Sequence, residues 1–122
     1  MKKLFFLVCV LPLFNACDYD NVEDLYGVSS CDTESVSFTN DIVPIIESHC
    51  VSCHSGSSPS GSLDLLDFES LSESALNIGV NGLLNRIGRS EGSSGAMPTN
   101  YKLTDCQIEQ INSWIEQGLI NN

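Results

Sequence analysis

Five consecutive residues constrain this chain more than any other stretch: Cys50-Val51-Ser52-Cys53-His54. The pattern Cys-x-x-Cys-His is typical of covalent haem attachment. Two thiols at this spacing bond to the two vinyl groups of one porphyrin, and the adjacent imidazole is held under the iron as its proximal ligand. A bare Cys-x-x-Cys pair also occurs in zinc sites and redox dithiols. Other features of the chain must therefore support the haem interpretation.

The first 16 residues have the pattern of a secretory signal peptide. Lys2 and Lys3 precede a short apolar run over 4–14, which is too short for a permanent membrane span. Ala16 followed by Cys17 resembles a bacterial lipobox, although Phe14 and Asn15 replace its usual residues. We therefore predict a lipoprotein signal peptide over 1–16 and lipidation of Cys17. The protein is then located in the bacterial cell envelope, periplasmic or surface-exposed, and held to the membrane by a lipid anchor. The alternative is that Cys17 is a free exported thiol.

The cysteine count supports the same reading. After cleavage before Cys17, five cysteines remain. Haem takes Cys50 and Cys53, and lipid takes Cys17. Cys31 and Cys106 are then left as an even pair in an oxidising compartment, so we predict a disulfide between them.

Charge is strongly asymmetric along the chain. All 16 acidic residues follow residue 16, where only Arg86, Arg89 and Lys102 are basic, so the segment from Cys17 has a formal net charge of −13. Nucleic acid is an unsuitable partner for such a chain. The acidity would steer a basic redox partner, or it serves solubility alone. The acidic stretch over 17–35 is predicted to be a flexible tether, followed by one small domain over 36–122.

Periodicity and capping signals predict an all-α domain. A first helix, with Thr39 as its N-cap, brings the chain to Cys50 and buries a face of isoleucines. Short helices follow near 70–76 and 82–87, separated by Ser- and Gly-rich loops over 55–62 and 90–95. A last helix begins with a Thr104–Gln107 capping box and ends at Gly118. The sequence thus indicates four or five short helices with little strand.

A haem iron held by one histidine has a sixth coordination position to fill. Once Met1 is removed, Met97 is the one thioether left in the chain, and the alternative role for it is core filler. His49 lies on the same segment as His54 and cannot easily reach the opposite face of a haem. We predict a His54/Met97 ligand pair, with His49 as a surface or partly buried residue rather than a ligand.

At this point the chain resembles the small class I type of c-type cytochrome, and within it the haem domains of exported lipoproteins from bacteroidete- and planctomycete-like bacteria. The resemblance covers about 36–120. It is carried by the haem motif, by Met97-Pro98, and by the stretches Phe38-Thr39-Asn40-Asp41-Ile42-x-Pro44-Ile45, Gly61-x-Leu63-x-Leu65 and Trp114-Ile115-x-x-Gly118. It implies a cytochrome c-like fold, with helices wrapped around one covalent haem c. It also implies that Phe38 or Ile42 meets Trp114 or Ile111.

For several further residues the sequence allows two interpretations each. Arg86 could pair with a haem propionate, because a guanidinium suits a carboxylate, or it is a solvated surface residue. The Pro59 carbonyl could orient the proximal histidine, or Pro59 is a turn residue. Tyr101 or Trp114 could donate to a propionate, or either belongs to the core or its rim.

Three functions compete at the level of sequence. The first is one-electron transfer by a mono-haem carrier that is not itself an enzyme, acting alone or as the haem subunit of a larger oxidoreductase, with redox proteins as partners. The second is a gas-binding or peroxidatic haem protein with a labile sixth ligand. The third is a non-haem site in which Cys50, Cys53, His54 and His49 hold zinc, or in which the two cysteines form a redox dithiol.

Overall fold

We describe residues 31–122 of a computed structural model of the chain. The predicted signal peptide, the lipidation site at Cys17 and most of the predicted tether lie outside these residues. Residues 31–122 form one compact unit, which therefore includes the last five residues of the predicted tether, 31–35. None of the helices within 31–122 has the length and apolarity needed to cross a membrane.

The first helical segment begins with a π-helical turn over Phe38–Ile42 and continues as helix α1 over Val43–His49. Ser37 is its N-cap, with its hydroxyl accepting the N–H of Asn40 at 3.2 Å. The prediction that Thr39 is the cap is therefore wrong. Pro44 falls in the first turn of α1, a position at which proline is tolerated.

Three further helices complete the unit: α2 over Phe68–Leu76, α3 over Leu83–Ile87 and α4 over Asp105–Glu116. A single 3₁₀ turn lies at Ser60–Ser62, and no strand occurs within 31–122. The structure is thus helical, as the sequence predicted, but its helices are few and short.

The caps of these helices follow from local chemistry. The Asp67 carboxylate begins α2 by accepting the backbone N–H and the hydroxyl of Ser70, which lowers the pKa of Asp67. The predicted capping box of α4 is present between Thr104 and Gln107. Gly118 follows α4 with φ +95°, a conformation that suits glycine and ends the helix.

Aromatic packing joins the first and the last helical segments. The rings of Phe38 and Trp114 stack with centroids 5.4 Å apart, and the rings of Phe38 and Phe68 are nearly perpendicular with centroids 4.9 Å apart. Trp114, Ile42, Leu71 and Ile111 are the largest fully buried side chains of the core. The expected contact between the Phe38 segment and Trp114 is therefore present. Helix α3 packs against both α2 and α4, so one small core is shared by all the helices.

The predicted disulfide pairing is also seen. The sulfur atoms of Cys31 and Cys106 lie 2.08 Å apart, with their Cα atoms at 5.5 Å. This bond ties the chain just before the helical unit to the first turn of α4. Next to it, Gln117 donates to the carbonyl of Thr33 at 3.0 Å and accepts the N–H of Val36 at 3.1 Å.

Candidate functional site

The four residues that the sequence assigned to a haem lie on the wall of one cavity. Its volume is about 610 Å³, within the range of roughly 300–1,000 Å³ that is usual for pockets that bind organic ligands. Side chains from the turn after α1, from α3 and from the segment after residue 95 contribute to it. Among its lining residues are Cys50, Cys53, His54 and Met97. Met97 is thus brought to the same site as the Cys50–His54 motif, which lies 43 or more positions earlier in the sequence.

The walls of this cavity are largely apolar. Leu65, Leu83 and Ile87 line it and belong at the same time to the buried core. The half-buried Leu63 extends the same wall. These residues give the site the low-polarity lining that a flat, apolar ligand needs.

Backbone hydrogen bonds fix the turn that carries the motif. The Cys50 carbonyl accepts the N–H of Cys53 at 3.1 Å and that of His54 at 2.9 Å, just after α1 ends. From the other side, the N–H of Ser60 donates to the Cys53 carbonyl at 2.9 Å and that of Leu65 donates to the His54 carbonyl at 2.8 Å. The thiols and the imidazole are therefore presented by a backbone that is held on both sides.

The His54 ring has one buried nitrogen, Nδ1, which lacks a hydrogen-bond partner among the described residues. The Pro59 carbonyl accepts the N–H of Ser62 at 2.9 Å, and no hydrogen bond joins it to His54 in this part of the chain. Pro59 thus acts in a turn here. With Nδ1 buried, Nε2 is the ring nitrogen available to the cavity that His54 lines.

The two cysteines of the motif are free thiols in the described structure, with Cys53 exposed and Cys50 partly buried. Burial raises the pKa of the Cys50 thiol from 9.0 to about 11. A thiol of this kind carries little thiolate at neutral pH, and thiolate is the form that attacks disulfides and binds metals. These surroundings do not suit a redox dithiol.

His49 is engaged on both of its ring nitrogens. Its Nδ1 lies 3.0 Å from the Tyr101 hydroxyl, and its Nε2 lies 3.0 Å from Nε2 of Gln107. The Gln107 amide is oriented by the capping box, because its oxygen accepts the N–H of Thr104. Its NH₂ group therefore donates to Nε2 of His49, and Nδ1–H of His49 donates to Tyr101. Both ring nitrogens of His49 are thus engaged in hydrogen bonds within the described residues.

Met97 is half-buried at the cavity, on the segment that follows the second Ser- and Gly-rich loop. Its backbone N–H donates to the carbonyl of Arg86 at 3.0 Å. The Arg86 guanidinium also lines the cavity, and it donates to the Gly95 carbonyl at 3.0 Å and to the Asn81 side chain. The Arg86 guanidinium is therefore held in place beside the cavity by hydrogen bonds.

The cavity has a polar rim, and the sequence identified only some of its residues. Tyr101 lines the cavity, and because His49 donates to its oxygen, its own O–H proton is free to donate elsewhere. The Trp114 N–H instead donates to the Ile120 carbonyl at 3.1 Å and is buried with its ring. Asn81, on this rim, carries no motif that reveals its role, and for Gln107 the sequence indicated only the capping box. The contact between Gln107 and His49 spans 58 residues, so no local signal could have predicted it.

Within residues 31–122, no three His, Cys, Asp or Glu side chains lie together in a way that could hold a metal ion. No family model, curated protein or solved structure matches the chain.

Proposed function

We propose that this protein is a mono-haem c-type cytochrome that carries single electrons, with haem c bound covalently through Cys50 and Cys53. The observation that carries this proposal is the convergence of Cys50, Cys53, His54 and Met97 on one largely apolar cavity. His54 and Met97 would be the axial ligands. When bound, haem supplies a one-electron Fe(II)/Fe(III) couple whose potential is raised by thioether ligation.

The residues of the cavity fit such a group. A cavity of about 610 Å³ lowers the stability of a small domain, because its lining loses packing contacts on one side. A large flat apolar ligand would restore those contacts along Leu65, Leu83 and Ile87. Cys50 and Cys53 would hold it in place, and His54 has one ring nitrogen available for the iron. The Tyr101 hydroxyl supplies a donor for a carboxylate group at the rim.

This proposal includes the location and partners expected from the sequence. The chain would be an exported lipoprotein of the bacterial cell envelope, anchored through Cys17, with a cytochrome c-like domain that exchanges electrons with redox proteins. Residues 31–122 contain 12 acidic and three basic residues, so a basic partner would be steered toward this part of the chain.

Expression in a host able to mature c-type cytochromes tests covalent attachment. We expect a haem-stained band that survives denaturing electrophoresis, and we expect it to be lost in the double variant Cys50→Ser/Cys53→Ser. The variant Cys31→Ser/Cys106→Ser is the matched control, because it also removes two cysteines but leaves the motif intact. A wild-type protein without covalent haem would overturn the proposal.

The sixth ligand is tested separately, in the haem-loaded protein. Met97→Ala is expected to lower the midpoint potential, because the thioether favours Fe(II), and to let carbon monoxide bind the reduced protein. Wild-type protein should resist carbon monoxide. If the wild type binds it readily, the sixth position is open, and the gas-binding or peroxidatic alternative is favoured over electron transfer.

A further inference from the structure

Two arginines reach from one stretch of chain to the segment before Met97. Arg86, on α3, donates through Nη1 to the carbonyl of Gly95 at 3.0 Å. Arg89, just after α3, donates through Nη1 to the carbonyl of Ser94 at 2.6 Å. Two consecutive carbonyls are thus bound by two guanidinium groups. Charge-assisted hydrogen bonds of this type are stronger than those between neutral groups.

Both guanidinium groups are themselves held in place. The second nitrogen of Arg86, Nη2, donates to the Asn81 side chain. Arg89 donates to the Asn85 side chain through Nε at 3.1 Å and through Nη2 at 2.7 Å. Its Nη2 also donates to the carbonyl of Val80 at 2.8 Å. Since each arginine is bound on both sides, its tip is fixed relative to α3.

Gly95 lies directly against the guanidinium groups of both arginines. Its φ is +76°, in the left-handed region that favours glycine, and a Cβ at this position would collide with Nη1 of both Arg86 and Arg89. The close approach of the arginines therefore depends on the absence of a side chain here.

The segment continues directly into the cavity. Ala96 is buried, with 4% of its surface exposed, and the Met97 N–H donates to the Arg86 carbonyl. Arg86 thus binds the segment twice, through its side chain at Gly95 and through its backbone at Met97. The Met97 side chain lies on the cavity wall two residues beyond Gly95.

We propose that Arg86 is a positioning residue for Met97: with Arg89, it clamps Ser94 and Gly95 and so holds the thioether at the iron. The inference rests on the proposed function, in which Met97 is the sixth ligand. It assigns Arg86 a role other than pairing with a propionate. In this role the effect of Arg86 passes through the position of the segment rather than through its charge.

The test uses the full-length haem-loaded protein and two readouts of the iron–sulfur bond. One is the weak absorbance band that arises from charge transfer between thioether sulfur and ferric iron. The other is the rate at which carbon monoxide binds the reduced protein. In Arg86→Gln we expect the band to weaken and the carbon monoxide rate to rise about tenfold, the factor expected from loss of one charge-assisted hydrogen bond.

Two further variants separate geometry from charge. Gly95→Ala keeps both arginines but displaces them from the segment, and it is expected to weaken the band in the same way. Lys102→Gln removes one positive charge as Arg86→Gln does, but Lys102 pairs with Asp105 at 2.9 Å on α4. This control should leave both readouts unchanged. Arg89→Gln, which loses the Ser94 contact, should give a smaller effect in the same direction.

Each outcome decides the inference. A normal band and a normal carbon monoxide rate in Arg86→Gln and Gly95→Ala would overturn the clamp. So would an Arg86→Gln variant whose potential shifts while the band stays intact, because Arg86 would then act by charge. If Arg86→Gln fails to mature, Gly95→Ala and Arg89→Gln give the same decision. A wild-type protein that lacks the band would instead show that Met97 is not the ligand, which overturns the clamp together with that part of the proposed function.

Discussion

Cys50 and Cys53 are three positions apart but have different surroundings. Cys50 follows α1 directly, packs against the core and is partly buried, whereas Cys53 is exposed. Burial disfavours the thiolate of Cys50 and raises its pKa to about 11. The two thiols of the motif should therefore differ in reactivity before any group is attached to them.

This difference predicts slow alkylation of Cys50 in the chain before haem attachment. At pH 8, iodoacetamide should modify native Cys50 about tenfold more slowly than Cys50 in urea-unfolded protein. The raised pKa lowers the thiolate fraction by about two powers of ten, and the higher nucleophilicity of that thiolate recovers part of the loss. The rate should rise with pH until about 11. Mass spectrometry of the peptide containing Cys50, in a Cys53→Ser variant, measures it.

The dependence of folding stability on pH gives a second check on the raised pKa of Cys50. The folded chain holds this proton more tightly than the unfolded chain, so stability is lost as the pH rises from about 9 toward 11. Cys50→Ser should lack that loss. Equal alkylation rates in native and unfolded protein would contradict the burial of this thiol.

At the scale of single residues, the sequence identified those candidate site residues that are marked by a local pattern. The haem motif and Met97 could be identified because each is distinctive in residue type and spacing. The sequence could not predict the two hydrogen bonds of His49 or those between Arg86 and the 95–97 segment. They join residues up to 58 positions apart, and their existence depends on packing that no local signal encodes.

Among the elements, the first helical segment differs most from its prediction. The sequence predicted Thr39 as the N-cap, whereas the cap is Ser37, two residues earlier. The chain instead begins with a π-helical turn, in which the N–H of Ile42 donates to the Ser37 carbonyl at 3.3 Å. The Ser37 N–H in turn donates to the Asp41 carboxylate at 2.7 Å.

The position of the N-cap at Ser37 predicts losses of different size for two similar substitutions. Ser37→Ala should lower the free energy of unfolding by about 1 kcal/mol, the usual cost of losing an N-cap. Thr39→Ala should change it by less than about 0.5 kcal/mol, because Thr39 is exposed and its hydroxyl makes no hydrogen bond within 31–122. Its backbone N–H, which donates to the Asn122 carbonyl, is kept in the variant. Urea unfolding followed by circular dichroism measures both, and a larger loss in Thr39→Ala would restore the original prediction.

The remaining helices were predicted from the sequence with small errors at their ends. Helix α2 begins at Phe68 rather than near 70, because Asp67 caps it, and α3 ends at Ile87 as predicted. Periodicity and capping signals were sufficient for this, since both are local. The cavity was not predictable in the same way. Its volume depends on how Leu65, Leu83 and Ile87 pack at a distance from one another.

At the scale of the whole domain, the two ends of the described chain are joined. Asn122 accepts the backbone N–H of Phe38 through its side chain and that of Thr39 through its carbonyl, both at 2.9 Å. The Cys31–Cys106 disulfide closes a loop of 75 residues. The cavity-lining residues, which lie between 49 and 101, all fall inside that loop. The disulfide therefore constrains the unfolded chain on both sides of the site.

The last prediction concerns this disulfide. The variant Cys31→Ser/Cys106→Ser should lower the free energy of unfolding by up to roughly 4–5 kcal/mol, because a 75-residue loop is no longer closed in the unfolded state. Gln117→Ala is the matched comparison. It removes the neighbouring hydrogen bonds to Thr33 and Val36 but keeps the loop closed, and it should cost about 1–3 kcal/mol.

Urea unfolding separates the two effects. Opening the loop expands the unfolded chain, so the disulfide variant should show a steeper dependence on urea than wild type, while Gln117→Ala should keep the wild-type slope. In the haem-loaded protein a mild thiol reductant should reproduce the disulfide variant, since thioether bonds resist it. A disulfide variant that costs no more than Gln117→Ala and keeps its slope would mean that the bond holds residues 31–36 locally and contributes little through loop closure.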